Sequence, residues 1–233
     1  MTDQTREAMI LAGGLGSRLR AVVADRPKPL ADIKGRPFLT FLLDQLLRYG
    51  VQRAVLCVGY LGEVVPPILG DRYGGMELLY SFETSALGTG GALRNAATLV
   101  QSDDVLAMNG DSFCDVDLRA LREQHGVWGA TATLAVLQRD DRRRSGTVTL
   151  DPSGRITAFE SRPAVATAGL INAGIYMLHR RALDAIPSDR KVSLEDEIFP
   201  MLAARRTLFG WPVEGRFIDI GTPESYDAAQ TFF

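Results

Sequence analysis

Residues 8–20 read AMILAGGLGSRLR, and residues 27–30 read PKPL. The apolar run at 8–12 predicts a first β-strand, and the glycines after it let the backbone turn sharply and expose its N–H groups. Arg18 and Arg20 come next, followed by Lys28 between two prolines. Backbone N–H groups beside fixed cations suit a bound triphosphate. We therefore expect a nucleotide site at the end of the first strand.

Two common phosphate-binding motifs do not fit this stretch. The chain contains no Gly-Lys-Ser/Thr, so it has no P-loop, and Leu19 stands where a dinucleotide fingerprint needs its third glycine. The segment instead resembles the signature of the sugar-1-phosphate nucleotidylyltransferases, L-A-G-G-x-G-[ST]-R-L followed by P-K-P-[LM]. A generic glycine-rich turn is the alternative, but both halves of the signature match together, which favours the family.

Length and composition indicate an ordinary globular protein. A chain of 233 residues suits one α/β domain, and its contents of 46% hydrophobic and 23% charged residues are unexceptional. The net charge of −2 gives no reason to expect nucleic acid or a membrane surface as a partner. Cys57 and Cys114 lack metal-ligand spacing. The N-terminus is polar and no apolar run reaches membrane-span length, so we expect a cytoplasmic protein.

The first half alternates short apolar runs with amphipathic helical patterns, which is typical of βαβ units. The strands predicted there are 9–12, 53–58, 77–82 and 105–108, and the helices are 37–49, 63–69, 92–100 and 117–125. The second half predicts strands at 130–137, 146–150, 156–159 and 173–178, and a helix at 194–205 capped by Ser193. We expect an α/β fold with a mainly parallel, mixed central sheet flanked by helices.

The family resemblance implies a single-domain, Rossmann-like nucleotidyltransferase fold that is similar to the glycosyltransferase-A fold. The nucleotide part would occupy about 1–115, and the sugar-phosphate part about 116–233. The implied reaction is attack of a sugar 1-phosphate on the α-phosphorus of a nucleoside triphosphate, with release of pyrophosphate. The attacking phosphate is already ionised, so no general base is needed.

Two aspartates are candidate metal ligands. Asp111 follows the strand at 105–108, at the edge where open α/β sheets bind ligands, although a solvated Asn-Gly turn would look the same. Asp219 lies among apolar residues in FIDIG, an odd place for a charge without a partner. In the family that the chain resembles, the corresponding aspartates hold Mg²⁺, which prefers hard oxygen ligands.

The resemblance also assigns the nucleotide contacts. Arg18 would hold the β- and γ-phosphates, and Lys28 would stabilise the α-phosphate and the charge that forms on it. With Asp111 and Asp219, these two cations form the predicted catalytic set. Further nucleotide-binding residues are expected at Leu11, Ala12, Gly13, Gly14, Gly16, Ser17, Glu83, Gly88, Thr89 and Asn109.

Glu83 is the candidate for base recognition. It opens the stretch ETSALGT at 83–89, which is similar to the family's E-x-x-x-L-G-T loop, although Ala86 stands where proline is common. An ionised carboxylate can accept from both the N1–H and the N2–H₂ of guanine, whereas uracil and thymine offer one ring N–H. This favours GTP as the substrate. Some uridylyltransferases carry glutamate here, and Glu83 could also be an ordinary exposed carboxylate.

The sugar pocket is expected to use Gly146, Glu160 and Asn172, which match the family elements G-x-[VI], F-x-E and N-[AG]-G-[IL]-Y. The family usually has a lysine after that glutamate, where this chain has Ser161 and then Arg162. The contact to the sugar phosphate therefore falls to Arg162 or to another cation such as Lys191.

Three segments, 21–25, 169–176 and 217–226, look most like the branch of the family that transfers GMP to D-glycero-α-D-manno-heptose 1-phosphate, for capsule or surface glycans. The alternatives are guanylylation of mannose 1-phosphate and uridylylation of an N-acetylated sugar phosphate. A nucleotide-sugar-sensing regulatory subunit would be expected to lose one of the four catalytic residues, and all four are present. Acetyl transfer is not expected, because no hexapeptide repeats occur in the sequence. The sequence is also compatible with a homodimer.

Overall fold

The computed structural model describes residues 7–14, 16, 18–19, 22–140, 146–161 and 168–233. Two of the predicted site residues, Ser17 and Arg162, lie outside these ranges.

The strands and helices alternate along the first half of the chain and are mixed in the second. The strands are β1 (Glu7–Leu11), β2 (Asp32–Ile33), β3 (Arg36–Pro37), β4 (Arg53–Val58), β5 (Arg72–Tyr73), β6 (Met76–Phe82), β7 (Asp104–Asn109), β8 (Ser112–Cys114), β9 (Ala132–Arg139), β10 (Thr147–Leu150), β11 (Ile156–Glu160), β12 (Gly169–His179), β13 (Leu208–Pro212) and β14 (Phe217–Asp219). The α-helices are α1 (Leu39–Arg48), α2 (Val65–Leu69), α3 (Gly88–Ala96), α4 (Leu118–Trp128), α5 (Arg180–Asp184), α6 (Phe199–Ala204) and α7 (Pro223–Phe232). A π-helical segment, Leu194–Ile198, precedes α6.

The main sheet places four parallel strand ends at one edge. Its order is β11-β10-β12-β7-β1-β4-β6-β5, with β9 between β12 and β13. Strand β1 pairs in parallel with β4 and β7, and β4 pairs in parallel with β6, whereas β12 runs antiparallel to β7. Along the chain, β4 and β6 are added on one side of β1, and β7 is then added on the other side of β1. Such a switch in strand order opens a crevice at the carboxyl ends of β1 and β7.

The predicted mixed sheet flanked by helices is confirmed. The strand predicted at 53–58 coincides with β4, and Ser193 caps the segment that follows it through a hydrogen bond from the backbone N–H of Asp196. Helix α3 begins at Gly88, earlier than predicted, because the glycines that suggested a turn are helical. A Cβ at Gly88 would lie 2.5 Å from the carbonyl oxygen of Val192, so close packing requires glycine there.

The parallel strands are buried on both faces. Ile10 and Leu56 face one hydrophobic cluster, and Met9 and Val55 face the other. Successive side chains of a strand point to opposite faces, which explains why the predicted strands read as continuous apolar runs rather than alternating ones. None of the helices in the described ranges combines the length and the apolar character that crossing a bilayer would require.

Glu7 ties the start of β1 to the loop before β7. Its Oε2 accepts hydrogen bonds from the backbone N–H groups of Gln101 at 2.8 Å and Ser102 at 2.7 Å, and Arg53 donates to its Oε1 at 3.0 Å. Burial raises the pKa of Glu7, but the hydrogen bonds from Ser102, Gln101 and Arg53 outweigh it and hold that pKa below its ordinary value. The carboxylate is therefore a structural clamp.

Replacing Glu7 with alanine is expected to lower the free energy of unfolding by about 2–3 kcal/mol, because the buried carboxylate is lost and two backbone N–H groups and Arg53 lose their acceptor. Urea denaturation at neutral pH measures the change. Because the folded-state pKa is depressed, the Glu7 contribution is present above the unfolded-state pKa and is lost as pH falls through the folded-state pKa. The gap between wild type and variant should therefore shrink in acid. Glu77→Ala removes a more exposed partner of Arg53 and should cost less than about 1 kcal/mol; an equal cost in the two variants would contradict the clamp.

Candidate active site

A cavity of about 420 Å³ lies at the carboxyl edge of the parallel strands. It collects predicted site residues from both halves of the chain. Those on its lining are Leu11, Gly13, Gly14, Gly16, Arg18, Lys28, Glu83, Gly88, Thr89, Asn109, Asp111 and Lys191.

The glycine turn after β1 is shaped by close backbone approach. A Cβ at Gly13 would lie 2.5 Å from Glu83 Oε1 and 3.0 Å from the backbone nitrogen of Gly59. Gly16 has φ +58°, a conformation that favours glycine, and a Cβ there would lie 3.2 Å from the Cβ of Lys28. The turn therefore fits between Glu83 on one side and Lys28 on the other.

The four predicted catalytic residues converge around Gly221. A Cβ at Gly221 would lie 2.6 Å from Asp219 Oδ1 and 3.6 Å from both Arg18 Nη2 and Lys28 Nζ. The Lys28 ammonium also lies 2.6 Å from Asp111 Oδ2. The Lys28 side chain is only 10% exposed, whereas that of Asp111 is 43% exposed. Arg18, Lys28 and Asp111 thus line the cavity together, and Asp219 lies next to them beside Gly221, which also lines it.

A small two-stranded ribbon, β8 with β14, brings the two aspartates together. Asp219 pairs with Ser112 across the ribbon, and the N–H of Ile220 donates to the carbonyl oxygen of Asp111 at 2.9 Å. Asp219 Oδ1 accepts from the N–H of Gly221 at 2.7 Å and from Ser225 Oγ at 3.3 Å. Ser225 belongs to the capping box that starts α7, so the first turn of that helix fixes the Asp219 carboxylate.

Each aspartate keeps one oxygen available. In the described part of the chain, Asp111 Oδ1 and Asp219 Oδ2 accept no hydrogen bond from the protein. The described part of the chain contains no group of three or more His, Cys, Asp or Glu side chains that could hold a metal ion without other ligands. A cation bound here would therefore take these two hard oxygens from the protein and its other ligands from phosphates and water.

Glu83 is half-buried beside the glycine turn. Its Oε2 accepts a hydrogen bond from the N–H of Leu87 at 2.8 Å. Burial raises the pKa of the carboxyl group, and the Leu87 N–H partly opposes that effect. Glu83 is therefore not the ordinary exposed carboxylate that the sequence left as an alternative, because its side chain lies against Gly13 and lines the cavity.

Thr89 joins the cavity to the π-helical segment. Its hydroxyl donates to Glu195 Oε2 at 2.7 Å and accepts from the N–H of Leu194 at 2.8 Å. Glu195 was not singled out from the sequence, where the residues after Ser193 read only as the first turn of a helix. Glu195 is therefore a further polar group in direct contact with Thr89 of the cavity lining.

Three of the residues predicted for the sugar pocket, Gly146, Glu160 and Asn172, do not line the cavity. Glu160 is exposed at the end of β11, and Gly146 accepts the N–H of Asn172 at 2.7 Å through its carbonyl oxygen. Asn172 is buried, and its side chain bonds to Tyr176 and Gly174. Ala12 is buried as well. The sugar-binding roles of Gly146, Glu160 and Asn172 stay predictions. Of the two cations considered for the sugar phosphate, Lys191 lines the cavity, and Arg162 lies outside the described residues.

Comparisons with known proteins agree with this geometry. Residues 7–233 match the family model described as nucleotidyl transferase. The chain is 36% identical over 224 residues to the D-glycero-alpha-D-manno-heptose 1-phosphate guanylyltransferase of Aneurinibacillus thermoaerophilus, covering 96% of each chain. It is 34% identical to the mannose-1-phosphate guanylyltransferase of Mycobacterium tuberculosis, covering 97% of this chain and 64% of that one.

A solved structure supports the same assignment. The crystal structure of HddC from Yersinia pseudotuberculosis complexed with GMP-PN superposes with a TM-score of 0.82 at 31% identity, covering 96% of this chain and 97% of that one. The resemblance drawn from the residues at 11–19 and 27–30 is confirmed. The chain belongs to the nucleotidyl transferase family.

Proposed function

We propose that this enzyme transfers GMP from GTP to D-glycero-α-D-manno-heptose 1-phosphate, giving GDP-heptose and pyrophosphate. The observation that carries the proposal is the convergence of Arg18, Lys28, Asp111 and Asp219 around Gly221, which lies on the lining of a glycine-rich cavity. The names of the Aneurinibacillus relative and of the GMP-PN complex support the choice of sugar and of guanine.

The main barrier to such a reaction is electrostatic, because two anions must meet and charge accumulates on the departing pyrophosphate. Arg18 would bind the β- and γ-phosphates. Lys28 is held rigid by its flanking prolines and is almost fully withdrawn from solvent, so its charge acts at short range and through little water. The nucleophile is a phosphate oxygen that is already ionised, so none of the lining residues has to accept a proton.

Mg²⁺ is the proposed cofactor, and the residues present fit it. Asp111 and Asp219 would hold it through their available oxygens, which are hard ligands of the kind that Mg²⁺ prefers. When bound, the ion would neutralise phosphate charge. The ribbon hydrogen bond from Ile220 to Asp111 and the cap of α7 keep the two carboxylates at this edge without it.

Glu83 is the proposed guanine-reading residue. As a carboxylate it accepts and does not donate, so it suits the adjacent N1–H and N2–H₂ donors of guanine. One oxygen also takes the Leu87 N–H, which orients the carboxyl plane, and its remaining lone pairs stay open. Because burial raises its pKa, the group should begin to lose its charge at a higher pH than an exposed glutamate.

This shift gives a pH prediction. As pH falls from neutral through the raised pKa of Glu83, protonation should remove an acceptor for guanine, so the KM for GTP should rise at a higher pH than an exposed glutamate would cause. Glu83→Gln should have a high KM at neutral pH and a flatter profile, and its comparison with wild type removes the titration of the nucleotide itself. Glu63→Gln changes an exposed glutamate and serves as the control. Parallel profiles for wild type and Glu83→Gln would show that Glu83 does not contact the base.

Pyrophosphate release tests the function as a whole. GTP, UTP, dTTP, CTP and ATP are each paired with the heptose, mannose and glucose 1-phosphates, with Mg²⁺ present. We expect GTP with the heptose phosphate to give the highest kcat/KM. Faster release with UTP would overturn the guanine assignment, and no release with any pair would overturn the enzyme assignment.

Guanylylation of mannose 1-phosphate is the second candidate. The name of the Mycobacterium tuberculosis relative favours it, and the same charged groups would serve both reactions. A higher kcat/KM with mannose 1-phosphate in the same assay would replace the heptose as the substrate. We further propose a cytoplasmic location, where GTP and Mg²⁺ are abundant, and use of the GDP-sugar in capsule or surface glycan synthesis.

A further inference from the structure

A directed chain of hydrogen bonds runs from a bulge in β12 to the cavity. The register between β12 and β9 shifts between Asn172 and Tyr176. Within this bulge the N–H of Gly174 donates to Asn172 Oδ1 at 2.9 Å, and Asn172 Nδ2 donates to the Tyr176 hydroxyl at 2.9 Å. The Tyr176 hydroxyl in turn donates to Asn109 Oδ1 at 3.3 Å. Each donor has one acceptor, so the chain has a single direction.

The chain ends on a side chain that faces the cavity. Asn109 is the last residue of β7 and lines the cavity with Asp111. Its Oδ1 is engaged by Tyr176, whereas its Nδ2 has no acceptor among the residues that the structure describes. Gly174, with φ +74°, lies against that nitrogen, since a Cβ at Gly174 would be 3.0 Å from Nδ2. With Oδ1 held by Tyr176, the unused hydrogen-bonding group of the Asn109 amide among the described residues is the Nδ2 donor.

Tyr176 makes its hydrogen bond to the cavity lining through Asn109. Its side chain is 0% exposed, and its ring packs against Phe199 with the ring centroids 5.2 Å apart. The hydroxyl cannot touch a ligand that occupies the cavity. Without it, Asn109 Oδ1 would lose its donor, and the amide could rotate to point a carbonyl dipole at an anionic ligand.

We propose that Tyr176 is a positioning residue for the nucleotide: it fixes the Asn109 amide so that Nδ2 donates to an oxygen atom of bound GTP. This inference rests on the proposed function, because it takes GTP as the occupant of the cavity. It gives the bulge of β12 a role at the site, and it makes Asn172 a support for Tyr176.

A double-mutant cycle tests the proposal. Tyr176→Phe keeps the buried ring and removes only the hydroxyl, and we expect it to raise the KM for GTP about 3- to 10-fold with little change in kcat. In an Asn109→Ala background the same change should alter KM less than about twofold, because the side chain through which Tyr176 acts is gone. Asn109→Asp is nearly isosteric and has no donor, so it should raise KM and be insensitive to Tyr176→Phe in the same way.

Tyr73→Phe is the matched control, because its hydroxyl donates to Asp44 at 2.7 Å, away from the cavity. It should leave the KM for GTP unchanged. Equal effects of Tyr176→Phe in the wild-type and Asn109→Ala backgrounds would indicate a merely structural role and overturn the proposal, as would no effect in either. Calorimetric titration with GTP distinguishes a failure of the Tyr176 role from a failure of the proposed function. Normal GTP binding and turnover with an additive cycle refutes only the Tyr176 role, whereas wild-type protein that binds no GTP refutes the proposed function as well.

Discussion

Replacing Asp219 with asparagine is expected to lower kcat by about 10²- to 10³-fold at millimolar Mg²⁺. Asparagine keeps an oxygen that can accept from Gly221 and Ser225, so the turn before α7 should survive. What is lost is the negative charge and the second oxygen, both of which the proposed metal site needs. Steady-state pyrophosphate release across a Mg²⁺ titration measures the change, and the variant should require more Mg²⁺ for half-maximal rate.

Asp115→Asn provides the control for this variant. It makes the same chemical change one residue beyond β8, on a side chain that is exposed. Its rate and Mg²⁺ requirement should equal those of wild type. If Asp219→Asn worked at the wild-type rate at low Mg²⁺, the assignment of Asp219 as a metal ligand would be wrong. Asp111→Asn is expected to behave like Asp219→Asn, because the ribbon holds the two carboxylates as one unit.

Replacing Lys28 with alanine is expected to lower kcat by about 10²-fold while changing the KM for GTP only a few-fold. The reason is that the ammonium interacts most strongly with the charge that develops during transfer, so its removal affects the transition state more than the bound triphosphate. Single-turnover measurements at saturating GTP and sugar phosphate would separate the chemical step from binding and product release.

Two further variants make the Lys28 result interpretable. Lys28→Arg keeps the charge but not the compact geometry, and it should recover part of the lost rate. Lys34→Ala removes an exposed lysine and should leave both kcat and KM unchanged. A large rise in KM with normal kcat for Lys28→Ala would show that Lys28 binds the ground state of the nucleotide and does not assist the transfer.

The sequence was most informative where local signals and tertiary structure agree. Strand β4 coincides with its predicted bounds, because a buried parallel strand is a continuous apolar run with clear ends. The glycine turn was recognised because the positive φ of Gly16 and the close approach at Gly13 leave few other residue types suitable. Arg18, Lys28 and the two aspartates could be placed in one site only through the family resemblance, because residue spacing does not report contacts between distant segments.

The rest depends on tertiary contacts that leave no local pattern. Strands β8 and β14 have three residues each and were not predicted, although their pairing positions Asp219. The start of α3 was missed because glycine usually marks a turn, and the packing partner Val192 lies far along the chain. The motif around Asn172 predicts a sugar contact, which stays a prediction, and says nothing of the hydrogen bonds that its side chain makes to Tyr176 and Gly174. The proposed division into a nucleotide part and a sugar-phosphate part stays a prediction.

The ribbon of β8 and β14 also predicts how the site loses activity when the protein is heated or denatured. It is a sheet of its own, separate from the ten-stranded sheet among the described residues, and it is only three residue pairs long. Strand β8 is nevertheless anchored in the main core, because Phe113 and Cys114 are buried in the same cluster as Ile10 and Leu56. The free energy that keeps the two carboxylates together therefore comes from side-chain packing rather than from three backbone pairs. Heat or denaturant should abolish activity and unfold the core in one transition, so a thermal scan of activity and one of the fold should have the same midpoint.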